Sequence, residues 1–505
     1  MGNALTSCVF WGIILLLLWI VRPSSGFYNR TIDEWDIKSR IITFFLIAAI
    51  IAGSSFLMTL IHLYNGKKPD HRNQYELITE AFLKGQLNFD YDDIDPKLLE
   101  MENPYSNRAR REAGVRFHWD HAFYKGKYYM YFGVVPVLLL FMPYRLITGT
   151  SLTTYHATQI FTALTVIGLF AVFRFLSRKY FKDLPIGLYW VLSVLFAMMS
   201  IMYSTSKPAL YQTAISSGVC LEIWSLFFFL KAVLDTENVN RALALAAVGS
   251  LLGALVFGCR PTVALANLVV IPLLVIFFKN RGISAKLIAK TALAALPYVI
   301  VAAGLMWYNY ARFENPFEFG QSYQLTVADL TAYSGMKALL DVKRNLQGIK
   351  YCFLSMPDVK KEFPFVGEGG LFLMYPILFY ILIGAVNEQT RKRLRESGLM
   401  GWICTIAATV LLIVVMSVVW TPKIELRYTE DYTWMLCIMA FAVIGFLYQT
   451  MEFKRPCCAR VSYVALFSAM ICVLVLTSQM MSKMSKEELA LVYRAAQAVS
   501  FGLIH

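Results

Sequence analysis

Residues 131–148 read YFGVVPVLLLFMPYRLIT, an apolar run interrupted by Pro136 and Pro143. A helix that crosses a bilayer needs roughly 20 apolar residues, because about 30 Å of hydrocarbon is covered at about 1.5 Å per residue. This run is short of that length, and its prolines remove backbone donors where a spanning helix needs them. It reads as a segment that enters the membrane surface and returns. That reading decides the fold, because it puts everything between 65 and 152 on one side of a bilayer.

The rest of the chain supplies the bilayer. The 505 residues are 58% hydrophobic and 16% charged, with a mean hydropathy of +0.55, more apolar surface than a soluble domain of this size could bury. Long apolar runs lie at 41–64, 153–176, 184–204, 210–233, 241–258, 262–278, 287–310, 368–386, 399–420, 432–449 and 461–481. The run at 7–21 has its nearby positive charge, Arg22, behind it instead of ahead, so it reads as an uncleaved helix and not a signal peptide. The expectation is an all-α polytopic membrane protein with about twelve transmembrane helices, one re-entrant or juxtamembrane segment and two large external loops. Six of the nine cysteines (Cys8, Cys220, Cys259, Cys404, Cys437 and Cys472) fall in or beside the apolar runs as small hydrophobes, and no disulfide framework follows from their spacing.

A net charge of +14 would suit nucleic acid were it not parcelled into short loops. Alternate loops carry Arg22, Arg30, Lys38 and Arg40; Arg174, Arg178, Lys179 and Lys182; Lys231 and Arg241; Lys279, Arg281, Lys286 and Lys290; Arg391, Lys392, Arg393 and Arg395; and Lys454, Arg455 and Arg460. The opposite short loops hold Lys207, Arg260, Lys423 and Arg427. The excess marks the cytoplasmic side. Nucleic acid is thereby excluded as a partner, and membrane lipids are implied. The chain divides into an extra helix and cytoplasmic loop (1–40), a core (41–310) with a first external loop (65–152), a second external loop (311–367), carboxy-terminal spans (368–481) and an external tail (482–505).

Polar chemistry belongs in the two long loops. Tyr75 to Gly85 places Leu77, Ile78, Ala81 and Phe82 on one helical face and reads as an amphipathic helix lying on the membrane. The acidic run Asp90, Asp92, Asp93 and Asp95 lacks the glycine and terminal glutamate of a calcium loop and reads as a solvated turn. The aromatic stretch from Trp119 to Gly133 is either an interfacial belt or a set of sugar-stacking faces beside the carboxylate of Asp120. Glu222, inside a span, is a buried carboxylate, protonated or paired with Arg260, or else a proton-coupling group.

The order of these features resembles the GT-C superfamily of integral membrane glycosyltransferases, which includes protein mannosyltransferases and the bacterial aminoarabinose transferase. The likeness runs over most of 41–449. Segments similar to a bacterial branch of that superfamily are Tyr75 to Leu87, Gly126 to Gly133, Gly258-Cys259-Arg260-Pro261-Thr262, Asn315 to Gly320 and Arg427-Tyr428-Thr429-Glu430-Asp431. The resemblance implies a multi-pass protein of the bacterial plasma membrane that transfers a sugar from a polyprenyl-phosphate donor to a cell-envelope acceptor on the outer face. It points to Asp70 as the base, with Glu76 in reserve and Asp120 as a second acidic position. Asp70-His71 stands where the family carries a paired acidic motif. Arg427, then Arg260 and Lys127, are the candidates for the donor phosphate, and Trp119, Tyr128 and Tyr131 for the sugar or acceptor. Some superfamily members use a divalent ion; no ligand cluster in the sequence requires one. The alternatives are a polytopic transporter, which would show internal repeats with broken helices, and a non-catalytic polysaccharide-assembly protein.

Overall fold

The computed structural model describes residues 2–65, 74–131, 133–359, 361, 365–420 and 426–481. The protein is an all-α polytopic membrane protein, 74% helical. Among the described residues ten helices are long and apolar enough to cross a bilayer: Ile37–Thr59, Thr154–Tyr180, Ile186–Ser206, Leu210–Leu234, Val239–Phe257, Pro261–Arg281, Ala285–Phe313, Met400–Val419, Arg427–Thr450 and Lys454–Met480. Two of the twelve expected spans are not among them. At the amino-terminus the qualifying apolar stretch is only Trp11–Ile20, and 368–386 is broken into Leu371–Met374, a 3-10 turn at Pro376–Leu378 and Phe379–Val386. Pro376 lacks the N–H that a continuous helix would need there.

The centre of the bundle is Glu430–Thr450, where every residue from Glu430 to Tyr448 is buried. A helix apolar on all sides can be satisfied only by neighbours on all sides. Around it pack Thr154–Tyr180, Ile186–Ser206 and Met400–Trp420, while Leu210–Leu234 packs along Thr154–Tyr180 and Val239–Phe257.

The loops sort to two ends. Ile32 donates its N–H to the Leu184 carbonyl, Arg174 stacks on Trp35 at 3.9 Å, Gln449 donates to the Tyr180 carbonyl, and Lys454 pairs with Asp183. The segments 22–36, 180–185 and 449–455 therefore share the basic end. The first long loop is at the other end of the same helix: Glu76 accepts the N–H of Thr154 at 3.0 Å, twenty-six residues from Tyr180. The segment 131–148 stays there too. Its helical part, Val137–Thr148, has a π-helical first half at Val137–Phe141 and is too short to cross. Val135 near its start donates to the Gly258 carbonyl, and Arg145 near its end pairs with Glu80.

The two long loops form one extramembrane body. A hairpin of Ala122–Tyr124 (β1) and Lys127–Tyr129 (β2) pairs Phe123 with Tyr128. Its turn is Lys125-Gly126, both at positive φ (47° and 75°), the primed two-residue geometry that fits strand twist. The second loop adds an edge to it: Phe123 donates to the Tyr323 carbonyl, Asp120 to Leu325, and Leu325 back to His121. Arg110, fully buried, donates to the Thr326 carbonyl at 2.6 Å.

Three expectations are corrected here. The helix Gln74–Leu83 does not rest its apolar face on lipid: Tyr75, Ile78 and Ala81 are buried, with Tyr75 stacked on Phe141 at 5.2 Å and Phe82 edge-on to Tyr308. The aromatic stretch is neither a belt nor a sugar platform for the most part. Phe123, Tyr128 and Tyr129 are buried, and Tyr128 packs among Tyr91, His118 and His121, so its ring is spent on the core of the extramembrane body. Glu222 is not paired with Arg260. Its Oε2 accepts from Asn267 at 3.1 Å, and Asn267 in turn accepts from Tyr298. The acidic turn is engaged locally: Asp90 pairs with Lys84, and Asp95 caps Pro96–Glu100 while accepting the N–H of Arg116.

Candidate functional site

Three of the five motif segments, Gly126 to Gly133, Gly258 to Thr262 and Arg427 to Asp431, meet at the end away from the basic loops. Gly133 lies directly against Gly258: a Cβ at 133 would overlap the Gly258 carbonyl oxygen and crowd the Cys259 nitrogen at 2.7 Å. This contact, sealed by the Val135 to Gly258 hydrogen bond of 2.8 Å, joins the Gly126–Gly133 segment to Arg260. Arg260 stands immediately before Pro261, the first residue of a broken helix, and turns to the carboxylate of Asp431 in the central helix. Its Nε donates to Asp431 Oδ1 at 2.7 Å and Oδ2 at 2.9 Å, and Thr262 Oγ1 adds a hydrogen bond of 3.2 Å. The next carboxylate, Glu430, accepts from the N–H and hydroxyl of Ser204 at 2.7 and 2.6 Å. Both acids occupy the first turn of their helix, where the dipole favours negative charge.

Asp431 has no exposed side-chain surface and Arg260 has 15%. A buried carboxylate is tolerable only when paired and hydrogen-bonded, and Asp431 is both. The pair engages the guanidinium through Nε, which leaves the two Nη groups of Arg260 outside it. Arg427 sits beside it in the 3-10 turn Leu426–Thr429. Its guanidinium is 4.5 Å from the ring of Tyr211 and 5.2 Å from that of Tyr428, and Arg260 is 5.3 Å from the same Tyr428 ring. Two cations thus share one aromatic ring, whose face attracts positive charge.

Asp120 completes the group from the extramembrane side. It has φ of 56°, a left-handed conformation that non-glycine residues adopt rarely and that surrounding structure must hold in place. Contacts among the described residues hold it: its N–H donates to the Leu325 carbonyl, its carbonyl accepts from Gln74 at 2.9 Å and its Oδ1 accepts from Gln324 at 3.1 Å. Tyr131 lies among all these charges. Burial holds its hydroxyl well above the ordinary tyrosine range; Asp120 pushes it further, while Arg427 and Arg260 oppose.

The other sequence candidates fall elsewhere. Lys127 is exposed on the hairpin. Glu76 spends an oxygen on the N–H of Thr154. Trp119 is 43% exposed and Tyr128 only 1%, so of the two only Trp119 offers a ring face to solvent. Asp70 and His71 lie outside the described residues. Asp431, Tyr211, Tyr428 and Gln324 join the site without a role that the sequence assigns them. The adjacent pair Glu430-Asp431 reads as helix capping until Arg260, far away in the chain, is placed against it. Among the described residues no group of three or more His, Cys, Asp or Glu could hold a metal ion.

His121 underlies the Asp120 turn. Its ring donates to the Trp119 carbonyl at 2.8 Å and accepts from the Tyr91 hydroxyl at 3.0 Å, the pattern of a neutral imidazole. Burial depresses it from 6.5 to about 4, with the Trp119 carbonyl opposing and the charge of His118 adding. Between those values the unfolded chain takes up a proton that the folded ring refuses, so stability falls as pH drops through that window and is level above it. The protection factors of the 118–129 amides, exchange rates corrected for their intrinsic pH dependence, are expected to fall from pH 6.5 toward 4, with a shallower slope in His121→Phe.

No protein-family model and no curated protein matches the chain. Two solved structures are similar to it. One is the oligosaccharyltransferase of Archaeoglobus fulgidus in the apo form, at 12% identity and a TM-score of 0.39. The other is the archaeal oligosaccharyltransferase AglB from Archaeoglobus fulgidus in complex with an inhibitory peptide and a dolichol-phosphate, at 11% and 0.41. Each likeness covers 90% of this chain and 56% of the other, so the chain spans little more than half the length of the proteins it is similar to.

Proposed function

We propose that this protein is a membrane glycosyltransferase that moves a sugar from a polyprenyl-phosphate carrier to a hydroxyl acceptor at the outer face of a bacterial plasma membrane. The observation that carries the reading is the gathering of Arg260, Arg427, Tyr131 and Asp120 where the helix bundle meets the extramembrane body, at the end opposite the basic loops. A donor of this class needs hydrocarbon for its tail and water for its sugar, and a boundary between the two is where such a donor reacts.

In the proposed reaction the acceptor oxygen attacks the anomeric carbon, its proton passing to a carboxylate, Asp70 or Asp120, as the new glycosidic bond forms. The bond from the anomeric carbon to the phosphate oxygen breaks with its electron pair on that oxygen. The departing phosphate gains charge, and Arg260 Nη and Arg427 stabilise it, a form of catalysis that acts only as charge develops. Trp119 offers an exposed ring for the sugar or acceptor. No divalent ion is assigned.

Asp120→Asn and Asp70→Asn test this. Asparagine accepts the left-handed conformation as aspartate does, so Asp120→Asn is expected to fold. The variant that removes the base is expected to lower sugar transfer from a polyprenyl-phosphate donor by roughly 10²–10⁴-fold, the usual share of a general base. Full activity in both would overturn the site, and solute uptake into proteoliposomes would favour a transporter instead.

A further inference from the structure

Helix Val342–Leu354 in the second long loop is strongly amphipathic, and one apolar edge of it is left uncovered by the described residues. It lies across the end of the spanning helix Met400–Trp420. Arg344 Nη2 donates to the Val418 carbonyl at 3.1 Å, and a Cβ on Gly348 would overlap the Val418 side chain. Asn345, Cys352 and Phe353 form its buried face. Phe353 packs edge-on to Tyr432 at 6.0 Å, and Tyr432 is the neighbour of Asp431. The preceding helix, Gly335–Leu340, is fastened to it by Asn345, which donates to the Leu339 carbonyl at 2.7 Å.

The uncovered edge holds Met336 (65% exposed), Leu340 (71%), Val342 (65%) and Leu346 (61%), with exposed Lys337, Lys343 and Lys350 close to it in the two helices. Four large apolar side chains in a row, this far exposed, are costly in water. Their depth indicates another solvent. Met400–Trp420 has 21 residues, and at about 1.5 Å per residue this matches roughly 30 Å of hydrocarbon. The Val418 carbonyl therefore lies at the hydrocarbon boundary, and the helix fastened to it lies at headgroup depth. Lysines flanking an apolar edge at that depth reach the phosphates while their stems stay in the apolar layer.

We propose that residues 335–354 are an interfacial element whose partner is the bilayer itself, with the Met336–Leu346 edge among acyl chains and Lys337, Lys343 and Lys350 on lipid phosphates. Its buried face against Tyr432 makes it the wall between the lipid and the Arg260–Asp431 pair.

The test uses the full-length protein in nanodiscs of mixed phosphatidylcholine and phosphatidylglycerol, with the exposed Cys8 and Cys404 replaced by serine. A fluorescent label is attached at Leu346→Cys and, separately, at Gln347→Cys on the polar face. An apolar face at this depth sits roughly 5–10 Å below the headgroup boundary. Lipids with a nitroxide high on the acyl chain are therefore expected to quench the label at 346, with iodide quenching there several-fold weaker than at 347. Equal iodide quenching at both positions, or protection from both quenchers at 346, would overturn the proposal in favour of a water-exposed or protein-covered edge. Both sites are exposed, so neither substitution threatens folding, and the result does not depend on any transferase activity.

Discussion

Arg260→Ala is expected to reduce sugar transfer by roughly 10²–10³-fold, the loss found when one preorganised group on a developing anion is removed. It is also expected to lower stability, because Asp431 is left buried and unpaired. Breaking such a pair by removing one partner costs about 3–5 kcal/mol. The two effects separate in a double variant: Arg260→Met with Asp431→Leu removes both charges and is expected to regain thermal stability while remaining inactive. Arg260→Lys keeps the charge but loses the Nε–H that meets both oxygens of Asp431, and is expected to fall between wild type and Arg260→Ala. Measured rates and unfolding temperatures for these three proteins check the assignment. Wild-type transfer in the double variant would show that Arg260 is a structural arginine only.

Gly133→Ala has the second largest expected effect. The added methyl meets backbone, the Gly258 carbonyl and the Cys259 nitrogen, neither of which can swing aside as a flexible side chain would. Overpacking of this kind costs about 1–3 kcal/mol. The larger consequence is geometric, because the contact sets the distance between Tyr131 and Arg260. A displacement on the order of 1 Å can cost about 10²-fold in rate, so activity is expected to fall much further than stability. Gly304→Ala is the control. That glycine lies in helix Ala285–Phe313, where an added methyl group would have nothing within 4 Å, and the substitution is expected to be neutral or to stabilise by about 0.5–1 kcal/mol. Transfer assays and thermal unfolding of both variants decide the matter.

Both predictions rest on pairs distant in the chain, and this explains what sequence can and cannot reveal. The arrangement of loops is legible. Charge sorts them, and the structure brings 22–36, 180–185 and 449–455 to one end and keeps 131–148 at the other. Membrane insertion is a bulk transfer property in which each residue contributes by composition and each loop by charge, without reference to a particular neighbour. The surplus of expected spans over those observed has the same origin. A hydropathy run such as 368–386 counts residues and does not see that Pro376 divides them.

Amphipathic faces are less legible. Periodicity identifies an apolar face and is silent on what covers it. Tyr75 to Gly85 has the pattern of a lipid-facing helix and is covered by Phe141 and Tyr308, whereas residues 342–354 keep an open edge. The aromatic run from Trp119 to Gly133 shows the same limit, since a row of rings is consistent with a belt, a platform or a core until burial of Tyr128 and exposure of Trp119 tell them apart.

Composition and charge alone give the solvent: a polytopic helical chain with its basic residues sorted into alternate loops, two long polar segments and a proline-broken piece between helices. The expectation that polar chemistry stays in those two segments fails at Arg260, Arg427 and Asp431, which sit at helix ends. Which residues face one another is a property of the packed bundle. It gave Arg260 to Asp431 and not to Glu222, stacked Arg427 over Tyr211 and Tyr428, pressed Gly133 on Gly258, and held Asp120 in a left-handed turn with Gln74 and Gln324. The difference is one of range. Transfer into a bilayer is additive along the chain, whereas a charge pair or a backbone contact exists only within a few ångströms, and residues remote in sequence reach that distance only after the bundle has packed.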